Sequence, residues 1–283
     1  MENHPAFKPG NVAVITGAAD GIGLAAAQCF SGFGMHVLMA DIEAEKLDRV
    51  ATDIRSTKVF KDNQILTRTL DVSQAGQVME LKAFAFDTFG QVDVLMNNAG
   101  TSRKTSSWGE LDDWRHLIEV NLWGIIHGVH AFTETMIAQA SPGLIINTGS
   151  KQGITNPPGN PAYNVSKAGV KAATESLQHA LRNTDGCQVS AHLLVPGYTY
   201  TGLTKRHVSE KPDGAWLPRQ VVDYMVDAIN GGCFYVVCPD NEVTSAEDAR
   251  RILWAAGDLA HNRTPLSRWD KTFSDDFAKF TLD

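Results

Sequence analysis

The 283-residue chain is 43% hydrophobic, enough for an ordinary globular interior, and sets 25 basic against 32 acidic side chains for a formal charge of −7. That balance argues against a nucleic-acid or anionic-membrane surface and leaves a small molecule as the expected ligand. No run of about 18 apolar residues occurs, and Met1-Glu2-Asn3-His4-Pro5 lacks the basic and apolar regions of a signal peptide, so a soluble cytoplasmic protein with no membrane partner is expected.

Val12-Ala13-Val14-Ile15-Thr16 is apolar and β-rich, and it runs directly into Gly17-Ala18-Ala19-Asp20-Gly21-Ile22-Gly23 and a helical pattern over 21–33. Strand, glycine turn and helix form a dinucleotide site. Gly17 takes the tight turn, Gly21 lets backbone approach a pyrophosphate, and Gly23 lets the helix close on the strand. The helix N-terminus offers N–H groups and a partial positive charge to the phosphates, which places Asp20 and Ile22 beside the cofactor. A second strand over 36–40 ends at Asp41, where a carboxylate can hold the adenosine ribose hydroxyls and repels a 2′-phosphate. Ile42 and Glu43 follow in place of an arginine, and Asp20 stands where a base could grip a phosphate, so NAD is expected in preference to NADP. The competing role for Asp41 is to cap a helix over 43–56.

Strands over 64–70 and 92–97 precede helices over 74–89 and 111–139. Asp71 reads as a cap before Gln74, and Asn97-Asn98-Ala99-Gly100 as a turn on the ligand side of the sheet. His127 and His130 on the long helix have no companion ligands, so no metal is expected. Trp108, Trp114 and Trp123 read as packing or subunit contacts. A strand over 144–149 closes at Ser150, and the helix over 161–184 carries Tyr163 and Lys167 four residues apart, on one face. A lysine beside a tyrosine favours the phenolate, drawing a pKa of about 10 towards neutrality, which equips the pair for acid/base work on an alcohol or carbonyl. A strand over 189–195, a helix over 218–230 and a strand over 233–238 follow, and then a tail. There Ala249, Ile252, Leu253 and Ala256 recur at helical spacing over 246–260, and Thr264-Pro265-Leu266-Ser267 breaks the pattern before a segment holding Trp269, Phe273, Phe277 and Phe280. Cys29, Cys187, Cys233 and Cys238 lie in or beside apolar runs without Cys-x-x-Cys spacing and read as reduced thiols.

This alternation argues for an α/β fold: a doubly wound parallel sheet of about seven strands with helices on both faces and ligands at the carboxyl ends of the strands. One domain over 1–283 is expected, with 240–283 as a C-terminal extension.

The series Thr16-Gly17-Ala18-Ala19-Asp20-Gly21-Ile22-Gly23, Asn97-Asn98-Ala99-Gly100, Asn121 in Val-Asn-Leu-Trp-Gly, Ser150, Tyr163 with Lys167, and Pro196-Gly197 follows the order and spacing of known motifs. Over residues 10–240 the chain resembles the short-chain dehydrogenase/reductase family, in its single-domain branch. The resemblance implies a Rossmann-type fold and an NAD-dependent oxidoreductase interconverting a secondary alcohol and a ketone by hydride transfer. Tyr163 would exchange the hydroxyl proton, Ser150 hold the substrate oxygen, and Lys167 tune Tyr163 and grip the nicotinamide ribose. Asn121 would hold a proton-relaying water. Asp71 and Val72 would meet the adenine, Asn98, Ala99 and Gly100 line the cofactor, and Pro196, Gly197, Thr199 and Thr201 belong to the loop beneath the nicotinamide. Family members pair through helices matching 111–139 and 161–184, which implies a homo-oligomer, tetramer or dimer.

Substrate contacts are expected from Lys151, Gln152 and Asn156 on the pocket rim and from Tyr198 and Tyr200 in a lid running from Pro196 to about Pro218, with Lys151 and Gln152 pointing to a polar or anionic substrate. Gly149 stands where many members have a second serine, and the family's glycine-rich ending is missing. Two other classes compete: a catalytically silent NAD-binding regulator or scaffold, and a sugar-nucleotide epimerase or dehydratase. A complete four-residue set argues against the first. The second usually carries Gly-x-x-Gly-x-x-Gly, not the Gly-x-x-x-Gly-x-Gly of this chain.

Overall fold

The computed structural model describes residues 3–57, 62, 64–205 and 210–282. Its strands are β1 (Val12–Thr16), β2 (His36–Asp41), β3 (Ile65–Thr69), β4 (Val94–Asn97), β5 (Gly143–Thr148), β6 (Val189–Val195) and β7 (Tyr235–Val237). All pair in parallel, in the order β3-β2-β1-β4-β5-β6-β7. Between and after them come α1 (Gly21–Gly32), α2 (Ala44–Thr57), α3 (Ala75–Phe89), α4 (Leu111–Ile118), α5 (Gly124–Ala138), α6 (Gln152–Thr155), α7 (Pro161–Arg182), α8 (Gly202–Lys205), α9 (Pro218–Asn230), α10 (Ser245–Ala260) and α11 (Ser274–Lys279).

Side chains alternate across a strand, so β1 and β2 divide their apolar residues between two cores. Ala13, Ile15, Val37 and Met39 pack with Phe30 of α1 and Val222 and Met225 of α9. Val12, Val14, Leu38 and Ala40 meet Val78 and Leu81 of α3 and Phe132 and Met136 of α5. Burial on both faces is why these strands read as unbroken apolar runs. The expected Rossmann-type sheet, wound in both directions from β1, is therefore present. The chain leaves β1 towards β2 and β3, then returns to place β4 on the other side of β1. Ligands bind such sheets in the crevice outside the carboxyl ends at that reversal, and the Gly17 turn and Asn98 lie there. Among the described residues no helix is long and apolar enough to cross a membrane.

Two expected elements differ. The helix over 111–139 is interrupted between α4 and α5 by a π-helical segment, Glu119–Trp123, in which the Gly124 N–H reaches back to Glu119. Asn121 sits inside it with its side chain on the Thr101 backbone, and a Cβ on Gly124 would meet the Val72 side chain at 2.7 Å. The extra residue in the turn thus lets the helix approach β3's end while turning Asn121 inward, a placement typical of functional sites. The strand expected over 233–238 shortens to β7, because the Cys233 N–H is already bonded to Ala228 in closing the end of α9.

The tail folds onto α10. The Trp254 indole donates to Ser267 Oγ at 2.8 Å, and Phe277 and Phe280 approach its ring edge-on at 5.2 and 5.4 Å. Leu266, with φ 59°, makes the break foreseen at 264–267. α10 in turn lies against α6, the short helix that follows Ser150.

Candidate active site

The glycine turn is shaped by close approaches. Gly17 has φ +66°, and a Cβ on it would stand 2.7 Å from Ala99 Cα; one on Gly23 would run into Gly17 O. The result is a side-chain-free surface at the N-terminus of α1, and that surface fits a dinucleotide pyrophosphate. Asn98 braces it from inside: Nδ2 donates to Thr16 O and Gly17 O at 3.2 and 3.3 Å, and Oδ1 accepts from Thr148 Oγ1 at 3.2 Å. Thr16 Oγ1 accepts the N–H groups of Asn98 and Ala99. The side chain of Asn98 therefore ties β1, β4 and β5 together, leaving Ala99 and Gly100 as backbone at the crevice. Ile22 is half-buried in the first turn of α1.

At the end of β2, Asp41 accepts from Ala19 N–H at 2.9 Å and from Glu43 N–H at 3.0 Å. The Glu43 bond closes a turn just ahead of α2 rather than capping its first amides, and the Ala19 bond fixes Asp41 beside the glycine turn. Asp20 caps α1 by accepting from Gly21 N–H. Its other oxygen holds the Lys46 ammonium at 2.6 Å, with Glu43 at 3.3 Å. Burial alone would push the Asp20 carboxyl up, but the Lys46 and Gly21 bonds outweigh it and leave it below its ordinary value. Lys46 is not adjacent to Asp41 in sequence, and it is the helical turn of α2 that brings its ammonium back to Asp20. Asp71 takes the Ser73 N–H at 2.9 Å rather than the first amides of α3, and the Val72 carbonyl meets His127 Nδ1 at 2.9 Å.

Ser150, Tyr163 and Lys167 converge at the ends of β5 and α7. The Ser150 side chain faces the Tyr163 hydroxyl closely enough to act on its charge. Lys167, buried at 4% exposure, donates to Thr148 O at 2.8 Å and has its ammonium 5.9 Å from the Tyr163 ring centre. Burial lowers the Lys167 pKa from 10.5 to about 8. Burial also raises the Tyr163 pKa above 10, opposed by the Ser150 side chain. The expected drop of Tyr163 towards neutrality is thus not found, since desolvation of the phenol outweighs the opposing Ser150 side chain. Asn121 accepts from Thr101 N–H at 2.8 Å and donates to Thr101 O at 3.0 Å, and a Cβ on Gly100 would lie 3.3 Å from Asn121 Oδ1 and 3.7 Å from Lys167 Nζ. All four residues therefore border one end of the crevice. Gly149 has the Leu193 side chain 3.1 Å from where a Cβ would be, so a larger residue there would press on β6.

The loop after β6 closes over the glycine turn. A Cβ on Gly21 would touch the Thr201 side chain at 3.0 Å, and one on Gly197 would lie 2.8 Å from Asp240 Oδ2. Pro196 is half-buried, and Thr199 is buried with its hydroxyl on Gly197 O. Tyr198 is 40% exposed, and its N–H donates to Asp240 at 3.0 Å. Tyr200 has the Lys205 ammonium 5.1 Å from its ring centre. Positions 206–209 of the expected lid lie outside the described residues. Of the rim residues, Gln152 is exposed, while Asn156 accepts from Asn164 Nδ2. Lys151 corrects the expectation that it meets an anionic substrate: its ammonium lies 2.6 Å from Asp248 and 3.5 Å from Asp240, against the C-terminal extension. No local pattern announces partners almost a hundred residues away.

A family model described as short chain dehydrogenase matches residues 11–212. The 3beta-hydroxysteroid dehydrogenase 2 of Eggerthella lenta is 31% identical over 212 residues, 74% of this chain and 79% of that protein. A short-chain dehydrogenase/reductase from Burkholderia phymatum solved in complex with NAD superposes with a TM-score of 0.82 at 29% identity, over 92% of this chain and 97% of the other. A metagenomic short-chain oxidoreductase in complex with NADP gives 0.68 at 27% identity, over 82% and 98%.

Proposed function

The chain belongs to the short-chain dehydrogenase family of oxidoreductases, and on that premise we propose that it is an NAD-dependent dehydrogenase interconverting a secondary alcohol and a ketone. The observation that carries this reading is the convergence of Tyr163 and Ser150 with the buried Lys167, whose ammonium lies 5.9 Å from the Tyr163 ring centre and bonds Thr148 O, at the carboxyl end of β5. The bound nicotinamide supplies the hydride acceptor or donor. Ser150 and Tyr163 together hold the substrate oxygen. In the reducing direction the neutral phenol, favoured by burial, donates its proton to that oxygen; in the oxidising direction the phenolate accepts it. Lys167 stabilises the phenolate and, with Asn98, Ala99 and Gly100, bounds the cofactor face; Asn121 fixes the π segment against Gly100 and holds the relay water. Gly17, Gly21, Ile22 and Gly23 receive the pyrophosphate, Asp41 the adenosine ribose, Asp71 and Val72 the adenine, and Pro196, Gly197, Thr199 and Thr201 the nicotinamide side.

NAD over NADP rests on Asp41 and on Lys46, which is occupied by Asp20 and Glu43 and so is poorly placed to bind a 2′-phosphate. Residues 1–283 act as one catalytic unit, and Gln152 and Tyr198 are the exposed side chains best placed to meet substrate. The test is a panel of secondary alcohols, polyols, hydroxy acids and hydroxysteroids read by absorbance of the reduced nicotinamide, with Tyr163→Phe as control. Loss of the exchangeable proton should cost roughly 10²–10⁴-fold in kcat with NAD affinity within a few-fold of the parent. Activity near the parent level in Tyr163→Phe removes Tyr163 from the proton transfer.

A further inference from the structure

A cavity of about 350 Å³ lies between α6 and the C-terminal extension, away from Ser150, Tyr163 and the glycine turn. Its size falls within the roughly 300–1,000 Å³ of small-ligand sites. One wall is Ile154, Thr155 and Asn156; the others are α10 and the segment after it, with Trp254, Leu266 and Trp269 as apolar surface. A smaller cavity of about 40 Å³ shares Arg251 and Arg268 with it and ends at Lys151 and Asp248.

The charges around this space are unequal. Arg263 is committed, with Nε on Asp258 at 2.9 Å and Nη2 on Trp254 O at 2.6 Å. Glu247 already takes both Arg250 and Arg251, and Asp248 takes Lys151. Arg251 uses Nε on Glu247, so its described bonds leave the two terminal nitrogens available. Arg268 has no carboxylate within ion-pair distance among the described residues and rests on the Trp269 and Phe277 rings at 4.8 and 5.6 Å. Burial first, then the neighbouring Arg251 and Arg250, hold its guanidinium below the ordinary value, only partly offset by Glu247 and Asp248. Two guanidiniums with spare donors thus crowd each other at the junction of the cavities, beside an aromatic and aliphatic wall. An anion there relieves that repulsion and is held by charge-assisted bonds.

We propose that this cavity binds a small organic anion, a carboxylate or phosphate monoester whose head lies between Arg251 and Arg268 and whose apolar body packs on Trp254, Ile154 and Leu266. The chemistry suits either a separate effector or the charged end of a substrate reaching past α6. Binding does not depend on the proposed dehydrogenase reaction, so it is tested first and separately. Calorimetry on the full chain with 4-phenylbutyrate, phenyl phosphate, inorganic phosphate and the neutral 4-phenylbutanol should show the two amphipathic anions binding at least tenfold more tightly than phosphate or the alcohol. Arg268→Gln and Arg251→Gln should each weaken them by roughly tenfold, the scale of one charge-assisted hydrogen bond, with unchanged circular dichroism. Equal binding of 4-phenylbutanol, no binding of either anion, or affinity indifferent to both substitutions overturns the proposal. Once a turned-over alcohol is known, inhibition competitive with it assigns the anion to the substrate's own end, and non-competitive inhibition to an effector.

Discussion

Removing the Lys151 ammonium should destabilise the protein through two carboxylates, Asp240 and Asp248, that lie far from Lys151 in the sequence. Lys151 is 20% exposed and lies 2.6 Å from Asp248 and 3.5 Å from Asp240, each of whose side chains is only 6% exposed. Asp240 also accepts the N–H groups of Tyr198, Glu242 and Val243, so it cannot swing away without releasing the loop beneath the crevice. Burial already raises the Asp248 pKa, with Lys151 opposing and Asp240 adding to the rise. In Lys151→Met the two buried negative charges are left with only the N–H groups on Asp240 and the Arg251 charge near Asp248 to offset them. Breaking a buried pair costs about 3–5 kcal/mol; with the ammonium partly open to water and Asp248 able to take a proton, about 2–3 kcal/mol is expected here. At roughly 2–4 °C per kcal/mol the melting temperature should fall by about 4–12 °C. Asp248→Asn, which leaves Lys151 with Asp240, should cost less, and the double variant should recover at least about 1.5 kcal/mol of the summed loss. The sign with pH follows from the direction of the shift. A carboxyl whose folded pKa is raised contributes stability at low pH that is lost as pH rises through the folded value, so the deficit of Lys151→Met should shrink between pH 7 and pH 4. A melting temperature within about 1 °C of the parent, or a coupling below about 0.5 kcal/mol, would refute the clamp.

Burial places the Lys167 pKa at about 8, against 10.5 unfolded. Stability from that group is therefore present above pH 10.5 and lost as pH falls through about 8, so thermal scans should show the parent gaining on Lys167→Met by up to about 3 kcal/mol between pH 7.5 and 10; a constant difference contradicts the buried ammonium. Asp41→Ala with Ile42→Arg should narrow or reverse the ratio of kcat/KM for NAD over NADP, and a parent that already prefers NADP defeats the reading of Asp41. Trp108 at 91%, Leu111 at 64% and Trp123 at 44% exposure line the α4–α5 side, so light scattering should give a homodimer or tetramer, and a mass of one chain at micromolar concentration speaks against that assembly.

What could be read in the sequence and what could not divides by the range of the interaction involved. The order of strands and helices was legible because burying a parallel sheet on both faces demands continuous apolar runs such as Val12–Thr16 and Leu144–Ile146. The glycine turn was legible because it needs backbone freedom at fixed spacing, and Tyr163 with Lys167 because helical geometry makes a four-residue interval a spatial one. The partners of Lys46 and Lys151 were not legible, for the opposite reason. A lysine's charge advertises a possible partner, but which carboxylate it finds depends on tertiary packing. Asp20 lies 26 residues from Lys46 across a strand, and Asp248 reaches Lys151 only because α10 folds back on α6. The π segment at Asn121 was not legible because an i→i+5 turn leaves the surrounding apolar periodicity almost intact, while the Thr101 backbone that Asn121 bonds lies in another loop. The same division explains why the oxidoreductase family was readable and the substrate was not. Chemistry common to many substrates needs a few residues at fixed intervals, whereas the proposed substrate pocket depends on where the α6 turn, the 196–205 loop and the extension come to rest against one another. Asp240 makes that dependence physical, since one carboxylate bonds the Tyr198 loop while facing the lysine that follows Ser150. A change in the extension should therefore move both sides of the substrate mouth together, without altering any residue in the proton-transfer set.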